Sequence, residues 1–250
     1  MIIDSHLYCF EPLDSARGYA SSAEHLGWAQ ACHASHHQPA MRIPDGTLGP
    51  SEILDPDGIF QPGKVPDVDF GLDKNRGRVS WSWQGGEYTK YFLPPNQRNC
   101  ESTPHGLDCE MHYAGVDAAL MHTDPMLVRD SCYLGEIVRK FPGRFYSMAP
   151  VDEWRIIDEM DTVINDTVRA IREHHLHAIK FIPPLCYVTR DASWDDGPYR
   201  PFWEAVVELD VPIFFTMGTG PEEFAREHEK AGQRRGYLKE QQILMRWMER

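Results

Sequence analysis

The chain has 250 residues, a formal net charge of -13, and a composition that is 42% hydrophobic and 25% charged. This acidic balance argues against a nucleic-acid partner, which requires clustered Lys and Arg, and favours a small-molecule or protein partner. The sequence has neither an apolar run of about 18 residues nor a signal-peptide pattern at its start, so we expect a cytoplasmic protein without membrane contact.

The first predicted element is a buried strand within residues 1–10. Alternate side chains of a strand share a face, so Asp4, His6 and Tyr8 are expected to point the same way. A carboxylate and an imidazole two positions apart can present two groups to a metal or a substrate at the open end of a barrel. A surface strand, or a core histidine with satisfied hydrogen bonds, is an equally good interpretation of these residues alone.

A long insertion is predicted at 11–105, where Pro, Gly, Asp and aromatic residues replace any regular alternation. Inside it, alternating aromatic and polar residues on both sides of a glycine turn predict a β-hairpin near 78–93. Trp81 and Trp83 of this hairpin are candidates to cover an aromatic or unsaturated ligand. Packing of these rings on the protein body or on a second subunit is the alternative, and we expect exposed aromatics here to favour a homodimer.

Cysteine and histidine residues give no complete metal-binding motif. The six cysteines are scattered without a CxxC pair, so we expect most of them to be reduced and buried. Cys32, His33, His36 and His37 have a spacing that occurs in metal sites. They lack the second ligand pair of a structural zinc site, so the spacing alone is poor evidence for zinc.

From residue 104 onward, helices and strands alternate. The predicted helices are 105–114, 130–141, 156–174, 201–209 and 236–248. The predicted strands between them are 115–121, 145–150, 177–182 and 211–216. This alternation predicts an α/β fold with a parallel sheet. Together with the first strand this gives five strands, fewer than the eight of a closed barrel, so an open doubly wound sheet and a barrel incomplete at its C-terminus both fit.

Several short segments together form a recognisable series. They are Ile3-Asp4-Ser5-His6, Gly115-Val-Asp-Ala-Ala-Leu120, Phe141-Pro-Gly-Arg-Phe145, His177-Ala-Ile-Lys-Phe-Ile-Pro183, Tyr199-Arg-Pro-Phe-Trp-Glu-Ala205 and Val211-Pro-Ile-Phe-Phe215. In this order they resemble the amidohydrolase-2 family, which includes aminocarboxymuconate-semialdehyde decarboxylase and resorcylate decarboxylase. The resemblance implies a distorted TIM barrel with one divalent metal, zinc or manganese, that decarboxylates or hydrolyses a small aromatic or unsaturated carboxylate.

The chain departs from the family pattern at several site positions. Family ligands on strand one come from His-x-His or Glu-x-His, so the resemblance gives either His6 with its partner lost to Tyr8, or Asp4 together with His6. Ile182 occupies the position of a histidine ligand, and Thr216 that of a catalytic histidine. The family's aspartate ligand would lie beyond residue 250. A tight mononuclear metal site is therefore in doubt, and Tyr8 and Thr216 are candidates for substrate contact.

Lys180 and His122 are the candidate catalytic residues. Lys180 lies on the strand face where the family places its ligand, so we expect it to point into the barrel near Asp4. A buried ammonium must be paired or lose its proton, so Lys180 is either a structural ion-pair partner of Asp4 or a catalytic electrophile or base. His122 ends a strand at the same edge and is either a proton donor or a cap for the following turn.

Two functions are compatible with the sequence. The first is a metal-assisted decarboxylase or hydrolase that acts on a small carboxylate. The alternative is a catalytically degenerate or truncated barrel homologue that serves as a binding protein or partner subunit. The replaced positions Ile182 and Thr216 are the best evidence for this alternative.

Overall fold

The computed structural model describes residues 1–36, 38–57, 62–93, 97–188 and 193–216. The strands, in chain order, are β1 (Ile3–Leu7), β2 (Ala40–Arg42), β3 (Gly71–Asp73), β4 (Arg78–Trp83), β5 (Gly86–Lys90), β6 (Ala118–Met121), β7 (Phe145–Ala149), β8 (Ala178–Phe181) and β9 (Ile213–Phe215). The helices are α1 (Ser22–Ser35), α2 (Pro104–Ala114), α3 (Ser131–Lys140), α4 (Met160–Arg172) and α5 (Arg200–Val207). The helix predicted at 236–248 lies outside the described residues.

The chain divides into two compact units. The parallel-sheet unit consists of residues 1–7, 117–123 and the described residues from 131 to 216. The hairpin unit consists of the described residues within 8–116 and 124–130, a range that spans the whole of the predicted insertion.

The parallel-sheet unit contains a five-stranded sheet in the order β1-β6-β7-β8-β9, and every neighbouring pair is parallel. Because these strands alternate with helices, the predicted α/β class is confirmed. The elements predicted from residue 104 onward are present within the described residues, with ends that shift by a few positions. The helix predicted at 156–174 is the most changed, since a 3-10 turn at Glu153–Arg155 precedes α4.

One face of this sheet forms a core with the helices. Helices α3 and α4 contact β7, and α4 also contacts α5. The side chains of Ala119, Met121, Phe145, Ile179 and Phe181 are fully buried. The strands of a parallel sheet are rich in apolar residues because helices cover the sheet.

The first strand is not buried as the sequence predicts. Within the described residues β1 is an edge strand that pairs with β6, and Ile3 remains 52% exposed. A bulge between Asp4 and Leu7 shifts the register of β1 against β6. An extra residue in one strand interrupts the regular alternation of faces, and the expectation that Asp4, His6 and Tyr8 share one face stays a prediction.

The hairpin unit contains a four-stranded antiparallel sheet in the order β2-β5-β4-β3. Strands β4 and β5 form the hairpin that the sequence predicts, joined at Gln84 and Gly85, which have φ values of 48° and 75°. Positive φ at both central residues is typical of a two-residue hairpin turn.

Helix α1 lies inside the predicted insertion, where the sequence analysis expects no helix. Its N-cap is Ser21, whose hydroxyl accepts a hydrogen bond from the Glu24 N–H at 3.2 Å. The Glu24 carboxylate in turn accepts one from the Ala20 N–H at 3.2 Å. This reciprocal arrangement is close to a capping box, which starts a helix by satisfying its first N–H groups.

The histidine cluster at the end of α1 is structural in the described residues. His33 is buried, its Nδ1 lies 2.6 Å from the Ala29 carbonyl, and burial lowers its pKa to about 3. The ammonium of Lys90 donates to the carbonyls of His33 and His36, each at 2.6 Å. Such bonds satisfy carbonyls that a helix end leaves unpaired. His37 lies outside the described residues.

The remaining sequence expectations concern cysteines and membrane contact. All six cysteines are free thiols, as expected, and three of them are buried: Cys9, Cys100 and Cys186. The expectation that most are buried is therefore correct for three of the six. Among the described helices, none is long and apolar enough to cross a membrane.

Candidate functional site

The candidate site lies at the carboxyl edge of the parallel sheet. Parallel strands end at the same edge, which is where α/β folds bind ligands. His6 lies near the end of β1, His122 follows β6 directly, Lys180 is on β8, and Thr216 follows β9 directly. The fold therefore collects four of the predicted site residues from separate parts of the sequence.

The central contact of this site joins Lys180 to His122. Lys180 is 2% exposed and His122 is 8% exposed, and Lys180 Nζ lies 3.3 Å from His122 Nδ1. On the other side of the ring, Nε2 lies 2.8 Å from the carbonyl oxygen of Ser5. A carbonyl only accepts, so Nε2 carries the proton, and Nδ1 turns a lone pair toward the lysine. Lys180 therefore donates to a neutral imidazole.

The ion pair between Asp4 and Lys180 that the sequence suggests is not formed in the described structure. Asp4 Oδ1 instead accepts a hydrogen bond from the backbone N–H of His6 at 2.9 Å. Asp4 still acts on the site through space, because its charge partly offsets the lowering of the His122 pKa.

His122 is held in place by its backbone as well as its ring. Its N–H donates to the Leu7 carbonyl at 2.7 Å, which joins the residue after β6 to the end of β1. The His6 ring stacks on the His122 ring with centroids 4.1 Å apart, and Phe214 contacts it edge-on at 6.2 Å. These contacts fix the direction in which Nδ1 points.

We expect His122 to stay neutral well below pH 6. Burial, followed by the positive charge of Lys180, lowers its pKa to about 4. Because the unfolded chain has an ordinary histidine pKa near 6.5, it binds more protons than the folded chain between these values. The contribution of His122 to stability is therefore complete above pH 6.5 and is lost as the pH falls toward 4.

NMR titration of the His122 imidazole checks this prediction. The wild-type midpoint should lie near 4, and Lys180→Met should raise it because the substitution removes a nearby positive charge. A wild-type midpoint at about 6.5, the value of an unperturbed histidine, would contradict the described geometry.

Two groups in this site suit a divalent metal. Asp4 offers a carboxylate and His6 an imidazole, which are ligand types that zinc and manganese accept. Within the described part of the chain, no group of three or more His, Cys, Asp or Glu side chains could hold a metal. At the family's other positions, Ile182 is a buried apolar residue and Thr216 is exposed. Asp4 and His6 are only two ligands, too few for a closed metal site.

The remaining predicted site residues belong to the hairpin unit. Tyr8 is half-buried, and burial, followed by the carboxylate of Asp124, raises the pKa of its hydroxyl. Trp81 is buried and its ring stacks on Tyr88 with centroids 6.0 Å apart, while Trp83 is half-buried. Trp81 therefore packs on a ring of its own hairpin. The sequence analysis expected exposed aromatics here, and this is wrong, because Trp81 is buried and Trp83, Tyr88 and Tyr91 are half-buried.

The sequence analysis missed one polar residue near the carboxyl edge of the parallel sheet. Glu153, in the turn after β7, is 1% exposed, and its Oε1 accepts a hydrogen bond from the Ile182 N–H at 2.7 Å. In sequence it stands among Val151, Asp152 and Trp154 in a segment that resembles an ordinary polar loop. No periodicity marks it, because its partner lies 29 residues away.

Comparisons with known proteins give matches among solved structures. No family model and no curated protein matches the chain. It is similar to 5-carboxyvanillate decarboxylase from Novosphingobium aromaticivorans with bound manganese and 3-methoxy-4-hydroxy-5-nitrobenzoic acid, at 23% identity and a TM-score of 0.36, over 50% of this chain and 38% of that chain. It is also similar to 2,6-dihydroxybenzoate decarboxylase complexed with 2,6-dihydroxybenzoate, at 17% identity and a TM-score of 0.40. That match covers 51% of this chain and 45% of the other.

A third similar structure is a probable 2-pyrone-4,6-dicarboxylic acid hydrolase from Acinetobacter baumannii with citric acid bound. Its identity is 10%, its TM-score 0.34, and the match covers 50% of this chain and 41% of that one. The chain spans less than half the length of each of these three proteins.

Proposed function

We propose that this chain carries the active site of an enzyme that decarboxylates or hydrolyses a small aromatic or unsaturated carboxylate. The observation that carries the proposal is the buried contact between the Lys180 ammonium and the neutral His122 ring at the carboxyl edge of the sheet. A cation held in a water-poor site attracts an anionic substrate and stabilises negative charge that develops during the reaction.

Each residue of the pair has a role that its geometry supports. Lys180 is proposed to bind the substrate carboxylate or an adjacent oxygen through Nζ. His122 accepts a hydrogen bond from Nζ at Nδ1 and so orients the ammonium. In a decarboxylation the electron pair of the broken C–C bond stays on the substrate carbon, CO2 leaves, and a proton takes its place. The Nζ–H of Lys180 is the acid that the described site offers for this proton.

Asp4 and His6 are proposed to hold one divalent metal, zinc or manganese, and Tyr8, Trp81, Trp83 and Thr216 remain proposed substrate contacts. When bound, such a metal would polarise a substrate oxygen. The roles of Lys180 and His122 given above do not depend on it.

The experiment that tests the function is an absorbance assay of the purified protein with a panel of hydroxylated benzoic acids and pyrone carboxylates. Loss of the substrate spectrum together with CO2 release identifies a decarboxylase, and loss without CO2 identifies a hydrolase. Wild type should turn over at least one compound, and Lys180→Met should not. If the panel binds but no compound is converted, the enzyme assignment is wrong.

Metal binding gives a separate prediction. Because the described residues supply two ligands, we expect the metal to be removed by dialysis against EDTA and regained when zinc or manganese is added, as is typical of an open site. His6→Ala should abolish the regain, which elemental mass spectrometry measures directly. His105→Ala, outside the site, is the control. Equal metal content in wild type and His6→Ala would contradict the assignment of His6.

The alternative is a non-catalytic homologue, and the observation that favours it is the apolar, buried side chain of Ile182 at a ligand position. Binding of the carboxylate panel without conversion, in wild type supplied with metal, is the result that this alternative predicts. The homodimer and the cytoplasmic location also remain proposals, and light scattering after gel filtration measures the first of them.

A further inference from the structure

We infer that Glu153 is a positioning residue that sets the place of Lys180 in the candidate site. This inference rests on the proposed function for its catalytic consequence alone, since the contact itself is structural. It starts from the hydrogen bond between Glu153 Oε1 and the Ile182 N–H, 2.7 Å long and buried.

The Glu153 hydrogen bond takes the place of a backbone hydrogen bond that β7 is too short to make with the end of β8. Strands β7 and β8 pair through Met148 with Ala178 and through Ala149 with Ile179, and β7 ends there. The β8 chain continues past this point, so the N–H of Ile182 has no β7 carbonyl opposite it. The Glu153 carboxylate, from the turn that follows β7, takes the place of that carbonyl.

One extended residue, Phe181, separates the anchored amide of Ile182 from Lys180. On the other edge of β8, the neighbouring strand β9 holds the same residues, because the Thr216 N–H donates to the Phe181 carbonyl at 3.0 Å. The end of β8 is therefore held on both of its edges, by Glu153 and by β9. Without the Glu153 hydrogen bond only β9 holds it, and the backbone that carries Lys180 can shift.

His122 does not share this anchor. It is held by β1, through the Leu7 carbonyl at its N–H and the Ser5 carbonyl at its ring. The two members of the catalytic pair thus have independent supports, so a shift of β8 alone changes the distance between Nζ and Nδ1. A 3.3 Å contact tolerates little displacement before the hydrogen bond is lost.

Three substitutions separate the hydrogen bond from the charge. Glu153→Gln keeps the length and an acceptor oxygen and removes the charge. Glu153→Asp keeps the charge and shortens the side chain by one methylene. Glu153→Met keeps the approximate length and removes the acceptor. Glu159→Gln, an exposed residue of the same segment paired with Arg155, is the matched control.

The readout that a merely structural role would not move is the ¹⁵N resonance of His122 Nδ1, compared with that of Lys180→Met. We expect Glu153→Gln and Glu159→Gln to keep the wild-type resonance. Glu153→Asp and Glu153→Met should move it to the position seen in Lys180→Met. In the assay, the same two variants should lose about 10- to 100-fold in turnover, as expected for a misplaced catalytic group.

A wild-type His122 resonance in folded Glu153→Asp overturns the inference. A shifted His122 resonance in Glu153→Gln together with a wild-type resonance in Glu153→Asp also overturns it. That result would mean that the charge of Glu153 matters and its hydrogen bond does not. If Glu153→Met fails to fold, the Asp and Gln variants still decide the question. The NMR result stands even if no substrate is found, so failure of the inference and failure of the proposed function are distinguishable.

Discussion

Lys180→Met should abolish turnover and leave the fold intact. Removing a preorganised charged donor from an active site costs about 100-fold or more in rate, and here the same group also binds the substrate. The fold should tolerate the change because Met has a similar length, and replacing a buried charge with an apolar group is often neutral or stabilising. Turnover and thermal unfolding of the same sample measure the two effects.

Lys180→Arg distinguishes the possible roles of the ammonium. Arginine keeps the positive charge but is not deprotonated in proteins, so it can stabilise an anion but cannot donate the proton. Residual activity in Lys180→Arg would assign an electrostatic role, and none would assign proton transfer. Lys140→Met, on an exposed position at the end of α3, is the control. Full activity of Lys180→Met would show that the site lies elsewhere.

The sheet and its helices could be predicted because their signals are local. Apolar runs such as Phe145–Ala149 and Ala178–Phe181 form strands covered by helices, and turn residues mark their ends. The order of the strands, however, is set by contacts between distant residues. Nothing in residues 1–10 indicates that β1 is an edge strand in the described structure, so its burial was the least predictable property.

The site itself was predictable in its members and not in its contacts. His122 can be chosen from its position at a strand end, and Lys180 from the strand face on which the resemblance places a ligand. Their pairing depends on β7 lying between β6 and β8. The Ser5 carbonyl that bonds the His122 ring lies where the register of β1 shifts through a bulge. Neither the register nor the bulge is encoded in a local pattern, which is why Asp4 seemed the natural partner.

Helix α1 is a different case, because its signal is present in the sequence. Ser21 and Glu24 have capping-box spacing just before Leu26 and Trp28. The surrounding Pro and Gly content hides this signal when composition is judged over the whole segment. Composition over 11–105 therefore predicted irregularity, whereas the two capping residues determine a helix of 14 residues.

The hairpin unit contains the position where we expect the largest loss of stability. Gly18 has a φ of +95°, and a Cβ built on it would lie 2.4 Å from the Arg129 carbonyl carbon and 2.5 Å from the Asp130 nitrogen. Both neighbours are backbone atoms, so neither can rotate away. The preceding residue, Arg17, is buried, and its guanidinium donates to the carbonyls of Met126 and Cys100.

Gly18→Ala should therefore destabilise the protein by about 3 kcal/mol or more, from backbone strain and overpacking together. Gly46→Ala separates these two causes. Gly46 also has a positive φ, +68°, but nothing lies within 4 Å of its would-be Cβ, so its cost should be about 1 kcal/mol, from strain alone. Denaturant unfolding of both variants measures the difference. Equal losses would mean that the chain at 129–130 can move away from Gly18, and that the contact does not hold the Arg17 turn in place.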